Sequence, residues 1–164
     1  MGAEIQNMAG DLPLGRHLAI AARLYFGVLS QKLERLDLER YYSVLMQIEK
    51  YGDTCNQQFL ADSLFIDKAS MVRIIDSLTE SGYILKDKCD HDRRAYWVRL
   101  TEKGAMVIPE IRKAVEEVNQ AVFKGFTKEE SRKFKQMLNR ISGNLSALPA
   151  MDVEVEYKRK SKNA

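Results

Sequence analysis

Cysteine is scarce in this chain: only Cys55 and Cys89 occur in 164 residues, without CxxC spacing, so neither a disulfide framework nor a structural zinc site is expected. Both are expected to be reduced thiols. Histidine adds nothing to that account, because His17 and His91 lie far apart and neither has metal-ligand spacing; no metal is expected. Long apolar runs are missing too, none approaching the roughly 20 residues that span a bilayer. The start, "MGAEIQNMAGDLP", lacks the basic residues and apolar core of a secretory signal. A soluble, cytoplasmic protein is the expectation. There is no Gly-rich phosphate loop, no nucleophile elbow and no HExxH, so no enzymatic activity and no cofactor are expected. Charge of one sign is also missing: 26 Lys+Arg stand against 23 Asp+Glu, a net +3. That balance is too weak to identify a nucleic-acid binder, and charge placement has to decide.

Apolar residues at 45% and charged ones at 30%, with only three prolines and nine glycines, describe a globular chain. Its length suits one domain with a real core, or a small domain with appended helices. Leu14, Leu18, Ala21, Tyr25, Val28 and Leu29 recur at helical steps and predict a long amphipathic helix from Leu14 to about Leu36. A second is expected from about Glu39 to Tyr51, carrying Tyr42, Leu45, Met46 and Ile48 and ending at Gly52.

In "DTCNQQFLADSLFIDKASMVRIIDSLTESGYI", residues 53–84, Thr54 and Gln57 have capping-box spacing and predict a short helix that starts there and ends near Phe65. Asp67 then caps another, whose Met71, Ile74, Ile75 and Leu78 form one apolar face closed by Gly82. Two helices joined by a tight turn make a helix-turn-helix. "YILKDKC" and "AYWVRL" alternate with period two about the polar "DHDRR", which predicts a hairpin with a charged tip. Thr101 can cap the next helix, with Val107, Ile108, Ile111, Val115, Val118 and Val122 as a stripe to about Lys124. Pro109 inside it should kink that helix or end a first piece of it, the kink being the expectation. Thr127 and Glu130 form a second capping box ahead of a helix bearing Phe134, Met137, Leu138, Ile141, Leu145 and Leu148 on one face. Beyond Pro149 the polar, basic end reads as a mobile tail.

With its apolar face turned inward, the second helix of the pair presents Lys68, Ala69, Ser70, Val72 and Arg73 outward near its N-terminus, the part that enters the major groove in helix-turn-helix docking. Arg73 suits guanine O6 and N7, Val72 a thymine methyl, and Ser70 and Lys68 phosphate or base edges. A tip bearing Arg93 and Arg94 can reach a narrow minor groove beside it. Against this stand Asp53, Asp62, Asp67, Asp76 and Glu80, which leave residues 53–80 net negative. Non-specific DNA affinity is therefore expected to be modest and strongly dependent on salt.

Helix-turn-helix followed at once by a hairpin is a winged helix. "LADSLFIDKASMVRIIDSLTESGYI" and "DHDRRAYWVRLTEKG" resemble the multiple antibiotic resistance regulator (MarR) family of transcription factors, over roughly residues 12–148. The second stretch is the specific one. The fold implied is mainly α with a small β-hairpin: an N-terminal arm (1–11), a single domain (12–148) with flanking dimerisation helices at about 12–36 and 104–148 around a DNA-binding lobe at about 39–103, and a basic tail (149–164). The resemblance places Arg94 as the inserted wing residue and Asp92 as the carboxylate holding it. The wing is about one residue shorter than many in the family, with His91 where a proline is common. That leaves the reach of the tip open.

The first, fifth and last long helices carry more apolar stripe than one winged domain can cover. A second copy would bury it, and a two-fold dimer sets two recognition helices one DNA turn, roughly 34 Å, apart over a pseudo-palindromic operator in double-stranded DNA. The competing reading is a monomer whose terminal helix folds back as core. The resemblance also implies a repressor relieved by a small lipophilic or aromatic effector, for which His17, Tyr25, Tyr42 and Met46 are lining candidates, each of them more readily read as an ordinary core or solvated side chain. Two alternatives remain: a winged-helix protein-interaction module, and a redox-responsive regulator using Cys55, at a helix N-terminus that could lower its pKa, or Cys89 beside the wing, although a small buried thiol is the commoner role for either.

Overall fold

A computed structural model describes residues 12–36, 38, 41–88 and 96–149. The elements are α1 (Leu14–Lys32), α2 (Tyr42–Tyr51), α3 (Gln57–Leu64), α4 (Lys68–Glu80), β1 (Ile84–Lys88), β2 (Tyr96–Leu100), α5 (Glu102–Val122) and α6 (Lys128–Ser146), with 3-10 turns at Glu34–Leu36 and Gly52–Thr54. This is the expected mainly helical winged helix-turn-helix with a two-stranded antiparallel hairpin.

The core gathers the inward faces of five helices against one face of the hairpin. Leu29, Leu45, Leu60, Met71, Ile84 and Ile111 are each almost or entirely inaccessible to solvent. The register pairs Ile84 with Leu100, Lys86 with Val98 and Lys88 with Tyr96. Ile84 and Val98 are buried on the side that packs against the helices. Residues before α3 extend the sheet: Asn56 bridges Trp97, and Val98 N–H donates to Cys55 O at 2.8 Å. The hairpin thereby rests on the helix-turn-helix instead of projecting free.

Caps explain most helix starts. Asp67 Oδ1 accepts from Ser70 N–H at 2.8 Å, and Thr101 Oγ1 from Gly104 N–H at 3.0 Å. Thr127 and Glu130 form the full reciprocal box. Backbone bonds from Thr127 hold the Glu130 carboxyl below its ordinary pKa. The expected box at Thr54 and Gln57 is corrected. Asn56 caps α3, its Oδ1 accepting from Phe59 N–H at 2.8 Å, while Thr54 donates to Tyr51 O within a 3-10 turn. Asparagine in extended backbone offers the same acceptor two residues later, without distorting the turn that carries the chain out of α2.

The first helix ends at Lys32, four residues short of the expectation, and tightens into the 3-10 turn that brings Leu36 inward. The second begins at Tyr42; Glu39 lies outside the described residues. Pro109 is accommodated within one helical run, so α5 is not divided into two pieces. No residue of α6 is buried, and Phe134, Met137 and Leu145 are exposed. Within one chain the terminal helix is not folded back as core.

Candidate nucleic-acid interface

The tight connection between α3 and α4 is made by Phe65, which takes φ 53° and ψ 43° as the C-cap of α3. Ile66 N–H reaches back to Ala61 O at 3.0 Å, closing the end of the helix. A bulky residue in the left-handed region is disfavoured, and Phe65 is also 84% exposed. Nothing in the sequence pattern signals this; glycine would be the ordinary occupant.

Burial of Met71, Ile75 and Leu78 fixes the rotation of α4, with Ile74 half-buried at the edge of the core. Lys68, Ala69, Val72 and Arg73 are consequently exposed, with Ser70 half-buried among them. The structure joins two of these. Arg73 Nη2 donates to Ser70 Oγ at 2.7 Å, laying the guanidinium along the helix toward its N-terminus. Bonds from Ser70, with a smaller contribution from the Arg73 charge, hold the Asp67 carboxyl below its ordinary pKa. The first turn is thus an ordered triad of Asp67, Ser70 and Arg73 with spare guanidinium donors.

Three of the acidic residues of the helix pair have structural employment. Asp67 caps α4, Asp62 accepts from Gln58 Nε2 at 2.6 Å, and Asp76 pairs with Lys86 of β1 at 2.5 Å. That last pair ties α4 to the hairpin, and Arg99 and Asp87 pair across the strands at 3.4 Å. Asp76 is therefore already neutralised locally. Lys86 was not among the residues expected to matter. Strand register is what sets it on the α4 side of the sheet.

Asp92, Arg93, Arg94 and Cys89 lie outside the described residues. What is described is the base they spring from, the pair Lys88 and Tyr96, with Tyr96 exposed. Tyr42 is buried in the core, and Met46 and Tyr25 pack against it. Tyr25 also donates from its hydroxyl to Asn119 Oδ1 at 3.2 Å, and burial pushes its pKa up. His17 is half-buried on α1. Open clefts of about 450 and 470 Å³ lie at the α5–α6 corner and between α1 and α5, and none of these four residues lines either.

Cys55 takes the role of a small buried thiol. It precedes the helix cap and is fully buried, its thiol directed at Gln47 O at 3.8 Å. Burial pushes its pKa up, opposite to the lowering expected from a helix N-terminus.

The junction behind the hairpin was also missed. Thr101 N–H donates to Tyr83 O at 3.0 Å, and Thr101 Oγ1 reaches Gly82 O at 2.7 Å and Tyr83 O at 3.1 Å. Gly104 packs so closely there that a Cβ would sit 2.0 Å from Tyr83 O.

This fold and its outward-facing second helix define a winged helix-turn-helix protein. Residues 39–96 match the model of the MarR family, whose members are transcriptional regulators. A MarR transcriptional regulator from Methanosarcina mazei Go1 is 28% identical, with TM-score 0.75 over 82% of this chain and 98% of that one. A MarR family transcriptional regulator from Listeria monocytogenes, solved in complex with 26mer DNA, is 26% identical, with TM-score 0.77 over 83% of this chain and 91% of the other. The MarR protein from Peptoclostridium difficile DA00132, at 24% identity, shares the fold with TM-score 0.79 over 85% and 92% of the two chains. Among the described residues no helix is long and apolar enough to cross a membrane.

Proposed function

We propose that this chain is a homodimeric repressor that binds a pseudo-palindromic operator in double-stranded DNA, α4 entering the major groove and a wing arginine the adjacent minor groove. The observation that carries the reading is the exposed first turn of α4. Burial of Met71, Ile75 and Leu78 leaves Lys68, Ala69, Ser70, Val72 and Arg73 as its outward face, with Arg73 held in one orientation by Ser70. An arginine so oriented loses less freedom on docking to guanine O6 and N7. Arg94, held by Asp92, is the wing residue proposed for the minor groove, with Arg93 beside it. The DNA complex of the Listeria relative supports the same partner here.

The second copy is supported by α6. It is 19 residues long, about 28 Å, with Phe134, Met137, Leu145 and neighbouring Leu148 exposed along one stripe. Exposed Leu14, Leu24 and Val28 of α1 and Val122 of α5 add to it. That much exposed apolar surface on a regulator is the mark of a subunit interface. A dimer seated on the operator closes the same grooves to other proteins, which is repression by occupancy.

The test is selection from a randomised duplex pool at two salt concentrations, followed by sequencing. A pseudo-palindromic motif is expected, with discrimination at one position per half-site falling by about 10-fold or more in Arg73→Ala, as loss of a bidentate guanine contact implies. Selection of no motif by the wild-type protein would overturn the reading. So would a monomer in sedimentation equilibrium at micromolar concentration.

A further inference from the structure

We infer that Tyr83 is a positioning residue for DNA recognition: it clamps the end of the recognition helix to both flanking segments, and so sets which half-site spacing the dimer accepts. This rests on the reading above. Tyr83 is 6% exposed and follows α4 at once, two residues beyond its C-cap Ser81. Each polar end of this residue crosses to a different part of the molecule. The hydroxyl donates to Leu36 O at 2.7 Å, a buried bond spanning 47 residues to the turn that ends the α1 segment. The carbonyl accepts from Thr101 N–H and Thr101 Oγ1, the cap of α5, and abuts Gly104 in the first turn of that helix.

The ring itself is held on a further side. Lys103 Nζ lies 4.3 Å from its centroid and bonds Ser81 O at 2.6 Å, both anchored at the end of α4. A rotation of α4 against α1 and α5 therefore has to break the hydroxyl bond or drag the 3-10 turn with it. Exposed ion pairs also span α1, its following turn and α5, namely Lys32 with Glu117 and Arg35 with Glu110. They lie in solvent and stiffen little. The Tyr83 bond is the buried one of this set, where no water competes for either partner. In a two-fold dimer the distance between the two α4 helices is carried through α1, α5 and α6, so an error at this joint appears doubled at the DNA.

The test uses the full-length protein and a series of palindromic duplexes carrying the selected half-sites, with the central spacing lengthened or shortened by one base pair. Each step displaces a half-site by about 3.4 Å and turns it by about 34°. Wild-type protein should bind one spacing well above its neighbours. Tyr83→Phe keeps the ring, its packing and the Lys103 contact but deletes the Leu36 bond, and is expected to reduce that preference by about 2- to 10-fold, the equilibrium weight of one hydrogen bond. Lys103→Met, which leaves the hydroxyl bond intact, is expected to keep the wild-type preference. Incorporation of para-aminophenylalanine in place of Tyr83 restores a weaker donor and is expected to give an intermediate preference; it decides the matter if the phenylalanine variant does not fold. A lower melting temperature with an unchanged spacing preference would reduce Tyr83 to a purely structural residue and overturn the inference while leaving the DNA-binding reading intact. Failure of the wild-type protein to bind any duplex of the series would remove both.

Discussion

Replacing Gly104 with alanine sets two opposing effects against each other, and the structure decides which wins. In an open helix the change favours folding by about 1 kcal/mol, because alanine is the better helix former. At Gly104 the new Cβ would stand 2.0 Å from Tyr83 O, 3.1 Å from Tyr83 C and 3.2 Å from a Leu100 methyl. The first of these is roughly 1.5 Å short of ordinary contact. Its partner is backbone, which cannot swing aside as a side chain would. Relief requires the start of α5 to lift from the strand, and a shift of that size opens the three bonds from Thr101 to Gly82 O and Tyr83 O. At about 1 kcal/mol each they outweigh the helix gain, leaving a net loss of about 2 kcal/mol, within the usual cost of overpacking. Urea unfolding at one fixed protein concentration is the assay, since a dimer's stability depends on concentration. The midpoint is expected to fall by about 1 M. Gly143→Ala is the matched control: that position has nothing within 4 Å, lies opposite the α6 apolar stripe, and should gain about 1 kcal/mol. Equal shifts in the two variants, or a Gly104 variant at least as stable as the wild type, would refute the steric argument.

Phe65→Gly is expected to raise the melting temperature by about 2–4 °C, as roughly 1 kcal/mol of left-handed backbone strain is released and little apolar burial is lost; a lower melting temperature would show that the exposed ring is held by contacts of its own. The Asp67 and Glu130 carboxyls, both with folded pKa values below the ordinary ones, contribute stability that is fully present above the usual carboxylate pKa of about 4 and lost as pH falls through the lower folded values. Asp67→Asn keeps a capping oxygen without a titrating group, so its stability at neutral pH should stay close to wild type while the acid limb of the stability curve becomes shallower. An unchanged acid limb would exclude Asp67 from the linkage. Leu145→Glu on the exposed stripe of α6 should shift sedimentation toward the monomer and weaken operator binding together, whereas a dimer unaffected by it would place the interface elsewhere.

Much of this protein follows from local patterns. The helix-turn-helix, the hairpin and the long helices come from helical and alternating periodicity, which act over a few residues and survive in any context. Asp67, Thr101 and the Thr127–Glu130 pair cap their helices as their spacing implies, because a cap is a contact between near neighbours. The outward face of α4 is likewise local, since burying Met71, Ile75 and Leu78 determines where Arg73 points. The box expected at Thr54 failed for a different reason: two acceptors stood two residues apart, and the pairing of Cys55 and Asn56 with the hairpin selected the second.

Contacts between distant residues could not be read in this way. That Asp76 is matched by Lys86 and that Cys55 is buried with a raised pKa rather than activated both depend on how helices and hairpin are stacked. The Tyr83 hydroxyl on Leu36 and the glycine at 104 are of the same kind. The sequence by itself determined which elements form and which side of α4 faces outward, because those are set by backbone geometry and the burial of nearby side chains. Only the tertiary structure decided how α4 is joined to the flanking helices, because that joint is made of backbone carbonyls, whose positions no side-chain pattern records.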